Sequence, residues 1–339
     1  MTSLKDVARV ANLSVTTASR ALNNHDDVAP STRALVAQVA SDLGYHPNHA
    51  ARSLQGTRAH AIGLVIPLLV HRYVDSFWQE FIAGVTTVCG DAGLDLVLCT
   101  GKDLHAEQAH YQRLVRSRRV DGVILCDLRV RDPRITFLRQ GPAPFVALGR
   151  TLGPDDFSWV DVDGAAGVRK AVAHLLDLGH RRIGYLGTQR AFSFSHFRHE
   201  GYMDALLGAS IPYDEQLVYQ DLDVRSDLEA PIRSLLALPD PPTALIACAD
   251  FLATNALRAL RTQDLRVPDD LSLIAFDDTL ITQHAEPPLT TLRQDNQAIG
   301  TAVAGLLIRQ LREPDRPPEH TLLQPSLVIR GSSSQVAGR

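Results

Sequence analysis

From Ala61 onward the chain settles into one repeated pattern, and that pattern most limits what it can become. Near-continuous runs rich in Val, Ile and Leu recur at 61–66, 94–99, 122–125, 145–148, 183–186, 244–247 and 271–276. A strand with one wet face alternates apolar and polar residues, whereas an apolar run throughout suits a strand covered on both faces. Stretches with helical spacing lie between the runs, at 77–92, 165–178, 198–207, 255–261 and 296–311. Strand alternating with helix reads as an α/β body of doubly wound parallel sheets, with room for two similar halves of about six strands each.

The first 45 residues read differently. Ser3 precedes Leu4-Lys5-Asp6, a capping box with Asp in place of Glu, and Leu4, Val7, Ala8 and Ala11 follow at i, i+3, i+4, i+7. Asn12-Leu13 breaks the pattern. Ser14 caps a second helix over 15–22, with Ala18, Ala21 and Leu22 inward. Residues 23–27 are a loop by composition, and Pro30 opens a third helix with Leu35, Val36, Val39, Ala40 and Leu43 as its stripe, ended by Gly44. Two short helices joined by a tight polar turn and followed by a third form a helix-turn-helix. Residues 1–60 hold six Lys/Arg against four Asp/Glu, net +2, while the rest holds 28 against 34, net -6. A cationic head on an acidic body suits a polyanion-binding module attached to something else.

Other classes fare poorly. The run 62–70 is far too short to cross a membrane and Pro67 interrupts it. The opening MTSLKDVARVA has no secretory pattern, so a cytoplasmic location is expected. Cys89, Cys99, Cys126 and Cys248 are scattered and read as reduced thiols. No hydrolase, zinc-protease, P-loop or dinucleotide fingerprint occurs, so no catalytic residue, cofactor or metal is expected. His196 and His199 lack a third ligand at matching spacing and suit a cleft rim or solvent better than a metal.

The order of motifs resembles the LacI/GalR family of bacterial transcription regulators. It is carried by Leu4-Lys5-Asp6-Val7-Ala8, by Ser14-Val15-Thr16-Thr17-Ala18-Ser19-Arg20-Ala21-Leu22-Asn23, and by Leu43-Gly44-Tyr45 with Pro47-Asn48 and Ala50-Ala51-Arg52-Ser53-Leu54. It continues through Gly63-Leu64-Val65-Ile66-Pro67, Val120-Asp121-Gly122, Leu178-Gly179-His180-Arg181-Arg182-Ile183, Val267-Pro268-Asp269-Asp270-Leu271-Ser272 and Pro287-Pro288-Leu289-Thr290-Thr291. The resemblance implies a DNA-binding head over 1–46 and a hinge helix and linker over 47–60. It implies a periplasmic-binding-protein-like body over 61–330, split near 150–160, with crossovers near 277–295 and 320–325. The polar remainder, 331–339, is expected to be disordered.

The resemblance also assigns roles. Val15 and Thr16 match base-reading positions, and Arg20 matches an arginine that contacts base or phosphate. Bidentate pairing of Arg with guanine discriminates by about 1–3 kcal/mol, so Arg20 is expected to dominate readout. Thr17, Ser19, Asn23 and Ser31 suit phosphate contacts, with ordinary capping or solvent exposure as the alternative. In the hinge, Asn48 caps, Ala51 permits close helix approach and Leu54 is a wedge between base pairs, or else a contact onto the body. The implied partners are double-stranded operator DNA, a small-molecule effector and a second copy of the chain.

For the effector cleft the matched positions are Phe77, Trp78, Arg150, Arg198, Asp250, Asp277 and Gln294. Trp78 is the better aromatic platform, and a core role for Phe77 stands beside a ligand role. Arginine forks and carboxylates suit vicinal hydroxyls, and a single strong aromatic segment argues against a purine stacked on both faces. A structural ion pair remains open for Asp250 and for Asp278. The expected function is a repressor of a carbohydrate-utilisation operon controlled by a sugar-like effector. A solute-binding receptor of the same body fold, or a regulator answering a nucleobase, are the alternatives.

Overall fold

The computed structural model describes residues 2–22, 25–45, 58–67, 76–223 and 225–336. The chain divides into two compact units, Met1–Ala59 and His60–Arg339.

In the first unit α1 (Leu4–Val10), α2 (Val15–Leu22) and α3 (Pro30–Asp42) enclose Val7, Ala8, Ala18, Ala21, Val36 and Val39. The capping box forms: Ser3 accepts from the Asp6 amide, and the Asp6 carboxylate accepts from the Ser3 amide at 3.0 Å. The Ser14 hydroxyl accepts from the Thr17 amide at 3.0 Å and starts α2. Leu35, expected in the α3 stripe, is 49% exposed. Thirteen residues at 100° each outrun a stripe one helix wide, and Val36, Val39 and Ala40 already fill the contact.

The second unit holds two six-stranded sheets. Their elements in chain order are β1 (Ala61–Pro67), α4 (Ser76–Asp91), β2 (Asp95–Gly101), α5 (Leu104–Arg116), β3 (Gly122–Leu125), α6 (Pro133–Arg139), β4 (Phe145–Leu148) and β5 (Ser158–Val162). There follow α7 (Gly164–Asp177), β6 (Ile183–Thr188), α8 (Ser193–Gly208), β7 (Val218–Leu222), α9 (Glu229–Leu236), β8 (Ala244–Ala247), α10 (Asp250–Arg261), β9 (Ser272–Asp277) and α11 (Leu280–Gln283). The last are β10 (Thr290–Arg293), α12 (Asn296–Arg312), β11 (His320–Leu323) and β12 (Ser326–Val328). One sheet runs β11-β5-β4-β3-β1-β2 and the other β12-β10-β9-β8-β6-β7. Among the described residues every pairing between these strands is parallel except β10 with β12.

The chain passes between the sheets three times, at Asp163, at 294–295 and at 324–325. The first crossing falls later than the 150–160 expected, because β5 still pairs with β4, Val146 opposite Ser158. Two crossings end in aspartates that start helices: Asp163 accepts from the Ala166 amide and Asp295 from the Ala298 amide, both at 2.9 Å. Each of these two crossings is therefore a short connection anchored at one end, as a hinge between two rigid layers needs.

Helices α4 and α12 pack so closely that their backbones meet at two glycines. A Cβ on Gly300 would fall on the Phe81 carbonyl, and one on Gly84 on the Gln297 carbonyl. Only glycine allows that approach.

The C-terminal segment is not disordered through residue 336. The Leu273 amide donates to the Ser332 carbonyl at 2.8 Å, and the Ser332 hydroxyl, fully buried, donates to the Leu273 carbonyl at 2.5 Å and accepts from the Thr290 amide at 2.8 Å. His180 Nε2 donates to the Ser334 carbonyl at 3.0 Å, and the Val336 amide to the Leu178 carbonyl at 3.0 Å. Polar composition suggested disorder, yet these serines meet backbone groups at the rim of the second sheet that would otherwise lack partners. Ser332→Ala is expected to cost about 1–3 kcal/mol, since it leaves a buried amide and carbonyl short of a partner. Urea unfolding of the full-length protein measures this, and an unchanged midpoint would show that the segment is not bound in solution.

Candidate functional site

The carboxyl ends of the strands in both sheets face one cavity of about 100 Å³. Strand ends are where open α/β sheets leave room, because adjacent connections depart in opposite directions. From the first sheet come Leu148, Gly149, Asp161 and Val162, with Phe77 and Trp78 from the start of α4. From the second come Thr188, Ala249, Asp277 and, after β10, Gln294, with Ser193, Phe194, Phe197 and Arg198 from the first turns of α8.

Arg198 holds the centre. Its Nη1 donates to the Cys248 carbonyl at 2.7 Å and its Nη2 lies 3.4 Å from Asp277 Oδ1. Its guanidinium carbon sits 3.6 Å from the Phe276 ring centroid and 5.0 Å from that of Phe194. The stacked plane is fixed, and Nε has no hydrogen-bond partner among the described residues. The same is true of Thr188 Oγ1 and Ser193 Oγ, two further buried atoms of residues lining the cavity. A buried polar atom without a partner costs about 1–3 kcal/mol, which a ligand oxygen would recover.

Asp277 accepts from Gln294 Nε2 at 2.7 Å and has φ +117°, with Asp278 following at +60°. Two successive non-glycine residues in the left-handed region are strain held by their surroundings, of the kind that aims functional side chains. Asp278 is the structural member: its buried carboxylate pairs with Arg293 at 2.5 Å and Arg330 at 2.6 Å.

Two expected residues stand elsewhere. Asp250 is buried and accepts from the Thr279 amide and hydroxyl, both at 2.6 Å, so it ties the start of α10 to the loop after β9 and does not line the cavity. Arg150 lies behind the wall, with its guanidinium 4.2 Å from the Phe197 ring centroid and its Nε 3.4 Å from Asp161 Oδ2. Trp78 reaches the cavity from a core position, only 6% exposed, while Phe77 is the more open ring of the pair.

Asp161 was missed by sequence reasoning. Burial pushes its carboxyl up to about 6, with Arg150 pulling the other way. The alternation Ser158-Trp159-Val160-Asp161 hid both the strand and the residue's inward aim. Phe194, Phe197 and Phe251 also line the cavity, so its later positions are more aromatic than expected. His199 packs against Tyr185, Tyr202 and Tyr213, and His196 is exposed.

One side of the cavity is closed by a strap. The Val130 amide donates to the Ala191 carbonyl and the Ser193 amide to the Leu128 carbonyl, both at 2.9 Å, joining the loop after β3 to the start of α8. Arg129 lies over Phe192, 5.5 Å from its centroid.

In the head, Val15, Thr16, Arg20 and Ser31 are exposed, and Thr17 and Ser19 half-buried. Val15 is an apolar side chain at 42% exposure on the first turn of α2, where a major-groove reader presents its contacts. Arg20 pairs with Asp27 at 2.5 Å in a solvent-exposed contact that a phosphate or guanine can replace. Asn23, Asn48, Ala51 and Leu54, and with them the hinge helix, lie outside the described residues.

Residues 3–48 match the model of bacterial regulatory proteins of the lacI family, and residues 172–333 that of a periplasmic binding protein-like domain. The HTH-type transcriptional regulator CelR of Thermobifida fusca is 34% identical over 333 residues, covering 97% of each chain. The HTH-type transcriptional repressor CytR of Escherichia coli is 31% identical over 332 residues, covering 97% of this chain and 96% of its own. Among solved structures, a CelR–cellobiose complex matches with TM-score 0.76 at 32% identity over 98% of this chain and 100% of its own. The lac repressor dimer bound to operator and an anti-inducer matches with TM-score 0.82 at 25% identity, over 98% and 99%.

Proposed function

The chain belongs to the lacI family of bacterial regulatory proteins, and from that membership we propose that it is a repressor whose hold on a near-palindromic operator is set by a neutral sugar in the cleft. The observation that carries the sugar is the cavity wall: Arg198 Nε, Thr188 Oγ1 and Ser193 Oγ lack hydrogen-bond partners among the described residues, and the Asp161 and Asp277 carboxylates and several phenylalanine rings line the same cavity. Hydroxyls spaced around a ring satisfy both donors and acceptors, and its C–H face suits the aromatic surface. Among the described residues three aspartates line the cavity (Asp127, Asp161, Asp277) against one arginine, which disfavours a phosphate or carboxylate on the ligand. The solved CelR complex with cellobiose supports the same class.

The protein acts as a dimer in this reading, since a two-fold protein matches a two-fold operator, and the lac repressor dimer is among its structural neighbours. The ligand touches both sheets and so can bias their hinge only through contacts that differ between open and closed forms.

Calorimetry with neutral mono- and disaccharides, cellobiose included, beside guanine and hypoxanthine tests the proposal. A sugar is expected to bind and to release operator DNA in a gel-shift assay. Affinity should fall as pH drops through about 6, because Asp161 then loses the charge that accepts a hydroxyl. Asp161→Asn should flatten that profile. Tight binding of a purine with no response to any sugar would overturn the effector class and leave the DNA-binding role standing.

A further inference from the structure

Two arginines from the first sheet's side of the cavity lie on phenylalanine rings from the second. Arg129, in the loop after β3, has its guanidinium 5.5 Å from the Phe192 ring centroid, and Arg150, after β4, lies 4.2 Å from that of Phe197. Both distances fall within the ~6 Å at which a cation is attracted to a ring face. Each arginine is anchored on its own side by a buried carboxylate: Arg129 Nη1 lies 3.3 Å from Glu107 Oε2, and Arg150 Nε 3.4 Å from Asp161 Oδ2. Phe192 and Phe197 bracket the first turn of α8. The two strap hydrogen bonds flank Arg129 and Phe192, which therefore stand directly opposite as the closer kind of antiparallel pair. Phe192 stacks on Phe194 with centroids 5.4 Å apart, and Phe194 lies 5.0 Å from the Arg198 guanidinium, so the stack continues to the centre of the cavity.

Topology sets these contacts far from the hinge. The chain crosses between the sheets from β5, β10 and β11. In the sheet orders β3 stands two strands in from β5, and β6, which leads into α8, stands three strands in from β10. At ~4.8 Å per strand, the strap lies roughly 10–14 Å from the crossings. Rotation about the crossings separates groups in proportion to that distance, so contacts here part before those beside the hinge.

We propose that Arg129 on Phe192 and Arg150 on Phe197 form a clasp that holds the two halves of the body closed, and that the clasp must part for a ligand to enter or leave the cavity. Ligand passage rests on the cavity being the effector site; closure of the halves does not.

The first test needs no ligand. The Val130 and Ser193 amides donate from one half to the other, so their hydrogen exchange in the full-length protein reads opening directly. Phe197→Leu keeps much of the bulk and leaves the Arg150–Asp161 pair in place, but removes the ring. It should speed exchange at both amides by roughly 2- to 30-fold, the worth of one cation–ring contact, although residue 197 lies outside the strap. Phe192→Leu should do the same, and the two together more. Circular dichroism and thermal melting establish that the variants fold. A strap that packs only locally would answer to Phe192→Leu alone, and that result would overturn the clasp.

Arg129→Cys with Phe192→Cys tests passage. Opposed residues of this kind have Cα atoms ~4.5 Å apart, within reach of a disulfide, and peptide mapping establishes the bond. Oxidised, this variant should take up the sugar that binds the wild type at least roughly tenfold more slowly than when reduced, because binding that waits on a conformational change is slowed with it. Equal rates in the two forms would overturn the gating role. If no sugar binds the wild type, the effector reading fails, and amide exchange still decides whether the clasp holds the halves.

Discussion

Arg198→Ala is expected to remove the response to effector while operator binding survives. The side chain is nearly buried, and its fork joins the Cys248 carbonyl to Asp277 across the cavity floor. Truncating one member of a buried, hydrogen-bonded charge pair at a binding site costs about 2–5 kcal/mol, roughly a 30- to 4,000-fold loss of affinity. Gln294 still donates to Asp277 at 2.7 Å, so the carboxylate keeps one partner and the fold keeps its strand ends. Arg198→Lys retains the charge but not the planar stack on Phe276, and should fall between the two. The measurement is calorimetry with the sugar that binds the wild type, paired with gel shift. Wild-type sugar affinity in Arg198→Ala would remove this residue from the site. Lost operator binding would mean that the variant had damaged more than the cleft.

How much of this was legible beforehand follows from the physics of each element. The seven strands read from sequence carry apolar runs, and all but β2 are buried on both faces; β2 keeps its run at a half-exposed sheet edge. The five that escaped, β5, β7, β10, β11 and β12, are edge or near-edge strands with polar residues among the apolar ones, as in Val218-Tyr219-Gln220-Asp221-Leu222. Their pairing depends on neighbours far along the chain: β11 lies beside β5, His320 opposite Trp159. Helix α8 begins at Ser193, five residues earlier than periodicity suggests, because Phe194 and Phe197 face the cavity and depart from a core stripe.

The site divides along similar lines. Phe77, Trp78, Arg198, Asp277 and Gln294 converge on one cavity, and each came from a motif position. Asp250 had the same kind of support and went instead to Thr279, since a carboxylate at a strand end serves a loop as readily as a ligand. Asp161, Thr188 and Ser193 lie in stretches with no motif, and their role emerges only when two sheets bring them together. The terminal serines were misread for a related reason: composition reports what a segment can bury, not which orphaned backbone groups it can meet.

The strap that closes the cavity rests on a buried charge cluster, and removing its central residue should have the largest effect on stability. Arg134 is fully buried. Its Nε lies 2.9 Å from Asp132 Oδ1, its Nη2 2.6 Å from Asp132 Oδ2, and its Nη1 2.8 Å from Glu107. Nη2 also donates to the Asp127 carbonyl at 2.9 Å. The loop from Asp127 to Asp132, whose middle pairs with the start of α8, is thus pinned from beneath. Arg134→Met fills the space but leaves two buried carboxylates without their main cation, at a cost of about 3–5 kcal/mol. For domains of roughly 150–250 residues each kcal/mol shifts Tm by about 2–4 °C, so a fall on the order of 10 °C is expected by calorimetry. Burial already pushes Glu107 upward, against the pull of Arg129 and Arg134. Without Arg134 that rise grows, and a carboxyl whose folded pKa exceeds its unfolded value gains stability as pH falls. The deficit should therefore narrow between pH 7.5 and 5, whereas loss of packing alone would leave it constant. With the strap loosened, the variant's cleft should open more readily, and its sugar affinity should fall even at temperatures well below its melting point. Wild-type Tm and wild-type sugar affinity together would show that the cluster neither supports the body nor holds the strap.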